Sequence, residues 1–214
     1  MNLPYHIEIV EKALADRFRP QALEELILAN LAQDDLPGLL LHPERHFDND
    51  LIPQALDYIQ KEHDQIVASA GAEDGGQSMR VAFGRLTHTA QDFYAHSNYV
   101  DLWLAHHGGL DVTAPDQIDG VDPTLLTSPA LHTWHFYLWR DGVYYIPIIR
   151  ELARRIYMAP NSHEANHLDD PSRGPKFAYA MQAAQDRTRQ EYERAIAAIR
   201  EAGGVEAVVR FHGS

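Results

Sequence analysis

The chain of 214 residues has no cysteine and no long apolar run. Without thiols it can form neither disulfides nor thiolate metal sites, so any bound metal must take its ligands from His, Asp, Glu or backbone groups. No run approaches the roughly 18 apolar residues that a membrane span requires, so no membrane span is expected. The N-terminal stretch also lacks the basic, apolar and small-residue pattern of a secretory signal, which favours a cytoplasmic location.

Positive charge is scarce as well. Lys and Arg number 18 against 31 Asp and Glu, which gives a formal net charge of −13. A protein that binds long nucleic acid needs clustered Lys and Arg to neutralise the phosphates, so long nucleic acid is not expected as a partner. Histidine, by contrast, is abundant at 13 residues, and an excess of His without Cys is typical of metal binding.

Helical periodicity runs through most of the chain. Pro4 and Pro20 are suited to the first turns of two helices, a third helix begins at Pro53 and stops at Gly71, and a fourth is predicted from about Gln77 to His106. The segments 36–50 and 106–124 have no helical period and are predicted to be loops.

The remaining third of the chain also favours helix. The aromatic segment 128–158 predicts a short helix, a break at Gly142 and another helix from near Pro147, and after a linker a final long helix ends at Gly203. No stretch of period two is convincing and no internal repeat is visible. The sequence therefore predicts one all-α domain over residues 1–214.

The segment from Leu86 to Trp103 places His88, Asp92 and His96 four residues apart. In a helix these side chains fall within a strip of about 80°. Two imidazoles beside a carboxylate suit Zn²⁺ or Fe²⁺, and the carboxylate has two oxygens with which to bridge neighbouring ions. The alternative is a helix whose two histidines are ordinary half-buried residues linked to Asp92.

Single candidate ligands lie in three other places. His6 begins the first helix beside its apolar stripe, and Asp34 ends the second helix. His46 lies in the motif HFDND, where Asp48 could orient its second nitrogen. A lone histidine or aspartate in such a place is more often structural or solvated, so these residues gain weight only together.

A pair of histidines follows in the motif HEANH. His163 and His167 are spaced i,i+4 and would face one way if the segment is helical. The alternative is two exposed loop histidines. In the aromatic segment, Trp134 and His135, with Tyr137 and Trp139, are candidates for a substrate wall or lid, and the alternative there is an aromatic core.

With these residues in place, the sequence resembles the zinc-dependent phospholipase C superfamily, which also contains the fungal single-strand nucleases and the Het-C-like proteins. The phrase LTHTAQDFYAHSNYVDLW is similar to the Het-C-type version. The motifs HIEIVEKAL, ANLAQD, HFDND and HEANHLDDP lie in the expected order around it. The resemblance implies an all-helical bundle around a multinuclear metal site of two or three zinc ions, with Fe²⁺ as an alternative.

Carried over residue by residue, the resemblance implies three groups of ligands. The first ion would be surrounded by Asp34, His46, His88 and Asp92. Asp92 would bridge to a second ion, which His6 also holds. The third ion would be held by His96, His163 and His167. The chain departs from the family in having Met1 where the enzymes use a processed N-terminal residue, and His167 where the phospholipases have a carboxylate.

The function that the resemblance implies is hydrolysis of a phosphodiester or phosphomonoester. A metal-bound hydroxide would attack phosphorus, and Asp34 would help to deprotonate the water as the catalytic base. The expected substrate is a small soluble phosphoester or a lipid headgroup. Two alternatives stay open: a metalloenzyme of another class, such as a Lewis-acid lyase, a cyclase or an iron-dependent oxygenase, and a non-catalytic module that metal stabilises.

Overall fold

The computed structural model describes residues 1–136 and 159–214. The α-helices within these ranges are α1 (Leu3–Leu14), α2 (Pro20–Leu31), α3 (Leu36–Leu41), α4 (Ile52–Ala70), α5 (Gly75–His96), α6 (Tyr99–His106), α7 (Pro123–Leu126), α8 (His163–Asn166) and α9 (Lys176–Phe211). Short 3₁₀ segments are Ala32–Asp34, Pro43–His46, Pro115–Gln117 and Pro171–Arg173. The predicted break at Gly142 and the helix from near Pro147 lie outside the described residues.

The predicted all-α single-domain fold is confirmed. Over residues 1–136 and 159–214 the strand-like pairings are isolated bridges, Ser97 with Thr133 and His135 with Ser162, and no sheet forms. No helix in these ranges is long and apolar enough to cross a membrane.

Helix α5 is the centre of the bundle, and it packs against α2, α4 and α9. Its residues from Leu86 to His96 are all buried, as expected for a helix enclosed on every side. The contact with α2 is close, because a Cβ at Gly84 would lie 2.4 Å from the carbonyl oxygen of Leu26. Glycine at this position therefore brings the end of α2 to the buried polar face of α5.

The predicted central helix is two helices, which corrects the expected range Gln77 to His106. Helix α5 ends at His96 because Ser97 is extended, at φ −123° and ψ 169°. The Asn98 N–H donates to the carbonyl of His132, and the Asn98 side-chain oxygen accepts from the His132 N–H at 2.9 Å. At Ser97 and Asn98, hydrogen bonds to this distant segment replace those of the helix, and the next helix, α6, begins at Tyr99.

Two other predicted boundaries are wrong. Segment 36–50, expected to be a loop, contains α3 and a 3₁₀ segment, because Asp35 Oδ1 accepts from the Gly38 N–H at 2.6 Å and starts a helical turn. The last helix does not end at Gly203. It kinks at Gly204, where φ is 71°, and continues to Phe211, whose side chain is fully buried.

Candidate metal centre

The face of α5 that carries His88, Asp92 and His96 is buried, with exposed fractions of 0%, 0% and 5%. The two carboxylate oxygens of Asp92 have different neighbours. Oδ2 faces His46 and His88, and Oδ1 faces His6. Asp92 is therefore shared between two groups of side chains.

The first group contains Asp34, His46, His88 and Asp92. Asp92 Oδ2 lies 2.9 Å from His46 Nδ1 and 3.1 Å from His88 Nε2, and these two nitrogens are 3.2 Å apart. Asp34 Oδ1 lies 3.6 Å from His88 Nε2 and 3.8 Å from His46 Nδ1. Four tetrahedral ligand atoms at about 2.1 Å from Zn²⁺ would be about 3.4 Å apart. The spacing of these four side chains fits one such ion.

The two ligands of this group that do not lie on α5, Asp34 and His46, are placed by two 3₁₀ segments. Asp34 ends Ala32–Asp34, a tightened extension of α2, and His46 ends Pro43–His46. Phe47 then adopts a left-handed conformation, at φ 54°, and its ring packs on Phe93 of α5 with centroids 5.0 Å apart. Asp34 Oδ1 belongs to the ligand group, and the role of Asp34 as a catalytic base stays a prediction.

The second group is built around His6, which is fully buried. Its Nδ1 donates to Gln91 Oε1 at 2.7 Å, and Asn30 donates to the same oxygen at 3.2 Å. Because an amide oxygen can only accept, the proton of the neutral ring must be on Nδ1. The lone pair of Nε2 then faces Asp92 Oδ1 at 3.2 Å, and Nε2 has no hydrogen-bond partner.

The amine of Met1 lies between the second group and the rest of the pocket. Its nitrogen is 2.5 Å from Asp92 Oδ1, 3.2 Å from Asp169 Oδ1 and 3.3 Å from His96 Nε2. Burial lowers the pKa of this ammonium, but the facing carboxylates outweigh burial and raise it to about 11. The pocket thus stabilises a positive charge at its centre.

The third group lies where α5 ends. His96 Nε2 is 3.1 Å from His163 Nε2 and 3.0 Å from Asp169 Oδ1, while His96 Nδ1 donates to the carbonyl of His46 at 2.7 Å. The rings of His163 and His167 are stacked with centroids 4.6 Å apart, so the pair faces one way as expected. His167 Nδ1 lies 2.8 Å from Asp169 Oδ2. All eight sequence-predicted metal ligands therefore meet in one pocket.

Two aspartates differ from the sequence interpretation. Asp169 was not among the predicted ligands, although its two oxygens face His96 and His167. Its only signal in the sequence is the acidic pair Asp169-Asp170, which follows HEANH after one leucine, since a spacing of two residues from His167 does not place both side chains on one helix face. Asp48 does not orient His46 as predicted. Its Oδ1 lies 3.5 Å from His96 Nδ1, and His46 Nε2 is buried without a partner.

Two of the histidines are held in the neutral form. Burial lowers the pKa of His88 and of His163 well below the usual value, against the pull of Asp92 and Asp169. The neighbouring imidazoles lower both values further. Neutral imidazole is the form that donates a lone pair to a metal ion, so these side chains are ready to bind one.

The four carboxylates of the pocket divide into two pairs. Burial raises the pKa of Asp34, and it raises the pKa of Asp48 to about 7. Burial also acts against ionisation of Asp92 and Asp169, but the Met1 ammonium and the histidines outweigh it and hold both pKa values well below the usual range. The Met1 ammonium lowers the pKa of Asp34, and the histidines lower that of Asp48, but for this pair they do not outweigh burial.

The predicted substrate residues lie beside the pocket rather than in the ligand groups. Trp134 is 7% exposed, and its backbone N–H donates to the carbonyl of His96 at 2.8 Å. His135 Nε2 lies 3.0 Å from Asp50 Oδ2. Their role in binding a substrate stays a prediction. Tyr137 and Trp139 lie outside the described residues.

Comparison with known proteins gives a family match and several relatives. Residues 5–117 match the model of the VWA7 N-terminal domain. The chain is similar to von Willebrand factor A domain-containing protein 7 of Homo sapiens, with 40% identity, and of Rattus norvegicus, with 37% identity. Each alignment spans 86 residues, which is 40% of this chain and 9% of the relative. No solved structure matches the chain.

These matches correct the predicted function. The family and the relatives are named for the VWA7 N-terminal domain and not for a phosphoesterase, so the prediction of a phospholipase C-like hydrolase is wrong. The matched range 5–117 holds six of the predicted ligands, from His6 to His96. His163 and His167 lie beyond it.

Proposed function

The chain belongs to the VWA7 N-terminal domain family, and from that premise we propose that it is a metal-binding domain that holds divalent cations in the histidine and aspartate pocket. The names of the family and of the relatives describe a domain and give no reaction. The chain spans about 9% of the length of the relatives it matches.

The observation that carries the proposal is the spacing of the first ligand group. The five distances among Asp34 Oδ1, His46 Nδ1, His88 Nε2 and Asp92 Oδ2 run from 2.9 to 3.8 Å. The two imidazole nitrogens, 3.2 Å apart, and the carboxylate oxygens beside them are all atoms whose lone pairs can bind a metal ion. A cation between these atoms would satisfy all four at once.

Charge gives the second support. Asp34, Asp48, Asp92 and Asp169 place four carboxylates in one pocket, and each is at least four-fifths buried by its side chain. Carboxylates buried without enough positive charge are costly, and natural pockets of this kind pair them or bind metal. Two dications would balance four carboxylates, which matches the expected number of two or three ions.

The ligand set selects the metal. Imidazole and carboxylate donors suit Zn²⁺, and they accept Fe²⁺ by the same chemistry. His6 fits the site, because its Nε2 is buried, has no hydrogen-bond partner and faces Asp92. Bound dications would supply Lewis acidity in the pocket. Turnover of a substrate stays a prediction, as do the likeness to the zinc-dependent superfamily and a cytoplasmic location.

A stabilising role follows from where the ligands lie. They come from α1, the end of α2, the segment Pro43–His46, α5 and the stretch around α8, which are separate parts of the chain. A cation held by these parts would connect them in the folded state only, so binding would add to the free energy of unfolding. Metal-dependent folding stability is therefore the function that the pocket supports best.

The test uses two histidines of one loop. His46 is buried in the first ligand group, whereas His42 lies four residues earlier and is half exposed beside Glu44. We expect the wild type and His42→Ala to retain zinc after dialysis, measured by elemental analysis, and His46→Ala to lose at least one ion. Asp34→Asn, which keeps the side-chain shape, should also lose zinc. Wild-type protein without zinc, or equal zinc in all four proteins, would refute the proposal.

A further inference from the structure

A second pocket of about 570 Å³ lies on the other side of the segment Ala32–Asp34. It opens between α2, α4 and the first half of α5, and Leu28, Ala29 and Val81 form an apolar part of its wall. Gln33 and Arg45 line it, whereas their chain neighbours Asp34 and His46 belong to the first ligand group. The two pockets therefore share backbone but no ligand residue.

Two guanidinium groups in this pocket have no carboxylate partner. Arg45 and Arg85 form neither an ion pair nor a side-chain hydrogen bond with residues in the ranges 1–136 and 159–214, and Arg45 Nε is buried without a partner. Arg45 is held over the ring of Tyr58, at 5.4 Å from the centroid, and the Tyr58 hydroxyl donates to Gln33 at 2.8 Å. These contacts fix the cation without neutralising it.

The acidic residues of the pocket differ in what they contact. Glu25 is paired with Arg80 at 2.7 Å, and Asp35 caps α3, so both are engaged elsewhere. Glu62 is the remaining carboxylate, and its Oε2 is buried without a hydrogen-bond partner. Burial raises the pKa of Glu62, against the nearby arginines and Tyr58. Among the described residues, the pocket thus offers two arginines that form no ion pair and one buried carboxylate oxygen, Glu62 Oε2, that accepts no hydrogen bond, and Glu62 and the arginines attract each other through space.

We propose that this pocket binds a carboxylate group that has a hydrogen-bond donor beside it, with Arg45 and Arg85 on the carboxylate and Glu62 accepting from the donor. Planar guanidinium groups match a carboxylate in charge and geometry. A phosphate dianion fits less well, because it brings more negative charge next to Glu62 than a carboxylate does. The proposal does not depend on metal in the neighbouring pocket.

Two sources supply this chemistry. In a small hydroxy acid the hydroxyl group is the donor, and at the C-terminus of a peptide the donor is the last backbone N–H. The probes are 3-hydroxybutyrate, butyrate, the tripeptide Gly-Ala-Leu with a free C-terminus and the same peptide amidated. Tighter binding of the free peptide than of 3-hydroxybutyrate assigns the site to chain ends, and the reverse order assigns it to small acids.

The experiment is a titration of ¹⁵N-labelled protein by NMR. We expect a donor-bearing carboxylate to shift the amide signals of Gln33 and Tyr58, and Arg85→Gln to weaken its binding about tenfold. Arg85 is exposed on α5, so this change should leave the fold intact, and Arg200→Gln, at an exposed arginine of α9 outside the pocket, is the matched control that should bind as the wild type does.

Three results would overturn the proposal. The first is that none of the carboxylates shifts Gln33 or Tyr58. The second is that inorganic phosphate binds as well as the best carboxylate, because the site would then be a general anion patch. The third is equal affinity in Arg85→Gln and Arg200→Gln, since the guanidinium of Arg85 would then have no part in binding.

Discussion

Two clusters of buried charged side chains lie in the bundle, and their charges are balanced in different ways. In one, Glu191 of α9 accepts from His63 of α4 at 2.7 Å and from Arg187 at 2.6 Å. Both oxygens of this carboxylate are thus paired within the protein. In the candidate metal pocket, by contrast, His6 Nε2 and His46 Nε2 are buried and have no hydrogen-bond partner within residues 1–136 and 159–214.

The difference separates a structural network from a binding site. Buried charges that are fully paired hold helices in register, whereas an incomplete set needs an added group of the opposite charge. Burial acts to raise the pKa of Glu191, but the hydrogen bond from His63 and the charge of Arg187 lower it to about 2. Asp34 and Asp48 have raised pKa values because burial, with the charge of Asp92 adding to it, outweighs the positive groups that face them.

Removal of metal should lower the thermal stability more than any other change considered, and the effect should arise at the histidine and aspartate pocket alone. Zinc at a thousand times its Kd would stabilise the folded state by about 4 kcal/mol, a rise in Tm of about 10 °C for a chain of this size. Calorimetry with excess zinc and with a chelator measures the shift. Glu191→Gln should show the same shift as the wild type, because its network binds no metal. An unchanged Tm on chelation would remove the distinction between the two clusters.

Disruption of the paired network of Glu191, His63 and Arg187 should cause the second largest loss of stability. Glu191→Gln removes the charge that His63 and Arg187 share, and the lowered pKa of Glu191 corresponds to about 3 kcal/mol. Urea unfolding should show this loss with zinc content unchanged. Glu193→Gln, at an exposed position two residues along α9, is the control and should unfold like the wild type. Loss of zinc in Glu191→Gln would mean that the clusters are coupled.

The same comparison has a pH dependence. The pKa of Glu191 is lower in the folded state, at about 2, than its ordinary value of 4.5, so its contribution is complete above pH 4.5 and is lost as the pH falls towards 2. The stability difference between wild type and Glu191→Gln should therefore be constant above pH 4.5 and shrink below it. Chemical unfolding at a series of pH values measures this, and a difference that persists at pH 2 would contradict it.

The smallest expected effect concerns a residue that contacts a ligand rather than the metal. Gln91 Oε1 accepts from His6 Nδ1, and Gln91 Nε2 donates to Thr188 at 3.1 Å. Gln91→Met removes this acceptor, so His6 is no longer held in the tautomer that presents Nε2. Zinc affinity at one site should fall about tenfold to a hundredfold, measured by competition with a chelating dye. Equal weakening of all the sites would instead indicate general loss of packing.

The periodicity of the sequence was enough to predict the features that depend on local sequence, namely the helices and their buried faces. The spacing of His88, Asp92 and His96 predicts one buried face of a helix, and the structure has these residues on α5 with almost no exposure. The helices that begin at Pro4 and Pro20 follow from the same reasoning. His6 and Asp34 were candidate ligands from the sequence, but they were grouped with the other ligands only through the family resemblance, because a lone residue has no spacing partner.

What depends on distant partners could not be predicted. The end of α5 is set by pairing of Ser97 and Asn98 with residues 132–133. The sequence near Ser97 contains no pattern that predicts this pairing. Asp169 was not predicted because two of its neighbours in space, His96 and the Met1 amine, are far away in sequence. The prediction of the reaction was wrong for another reason. A set of metal ligands indicates which ions can bind, but it does not identify the substrate.

Anomalous X-ray diffraction at the zinc edge, on crystals grown with zinc, tests the central claim most directly. We expect a peak enclosed by Asp34, His46, His88 and Asp92, with at least one further peak on the other side of the Asp92 carboxylate. A map with no anomalous peak at these four side chains, in a protein that is folded as described, would contradict it.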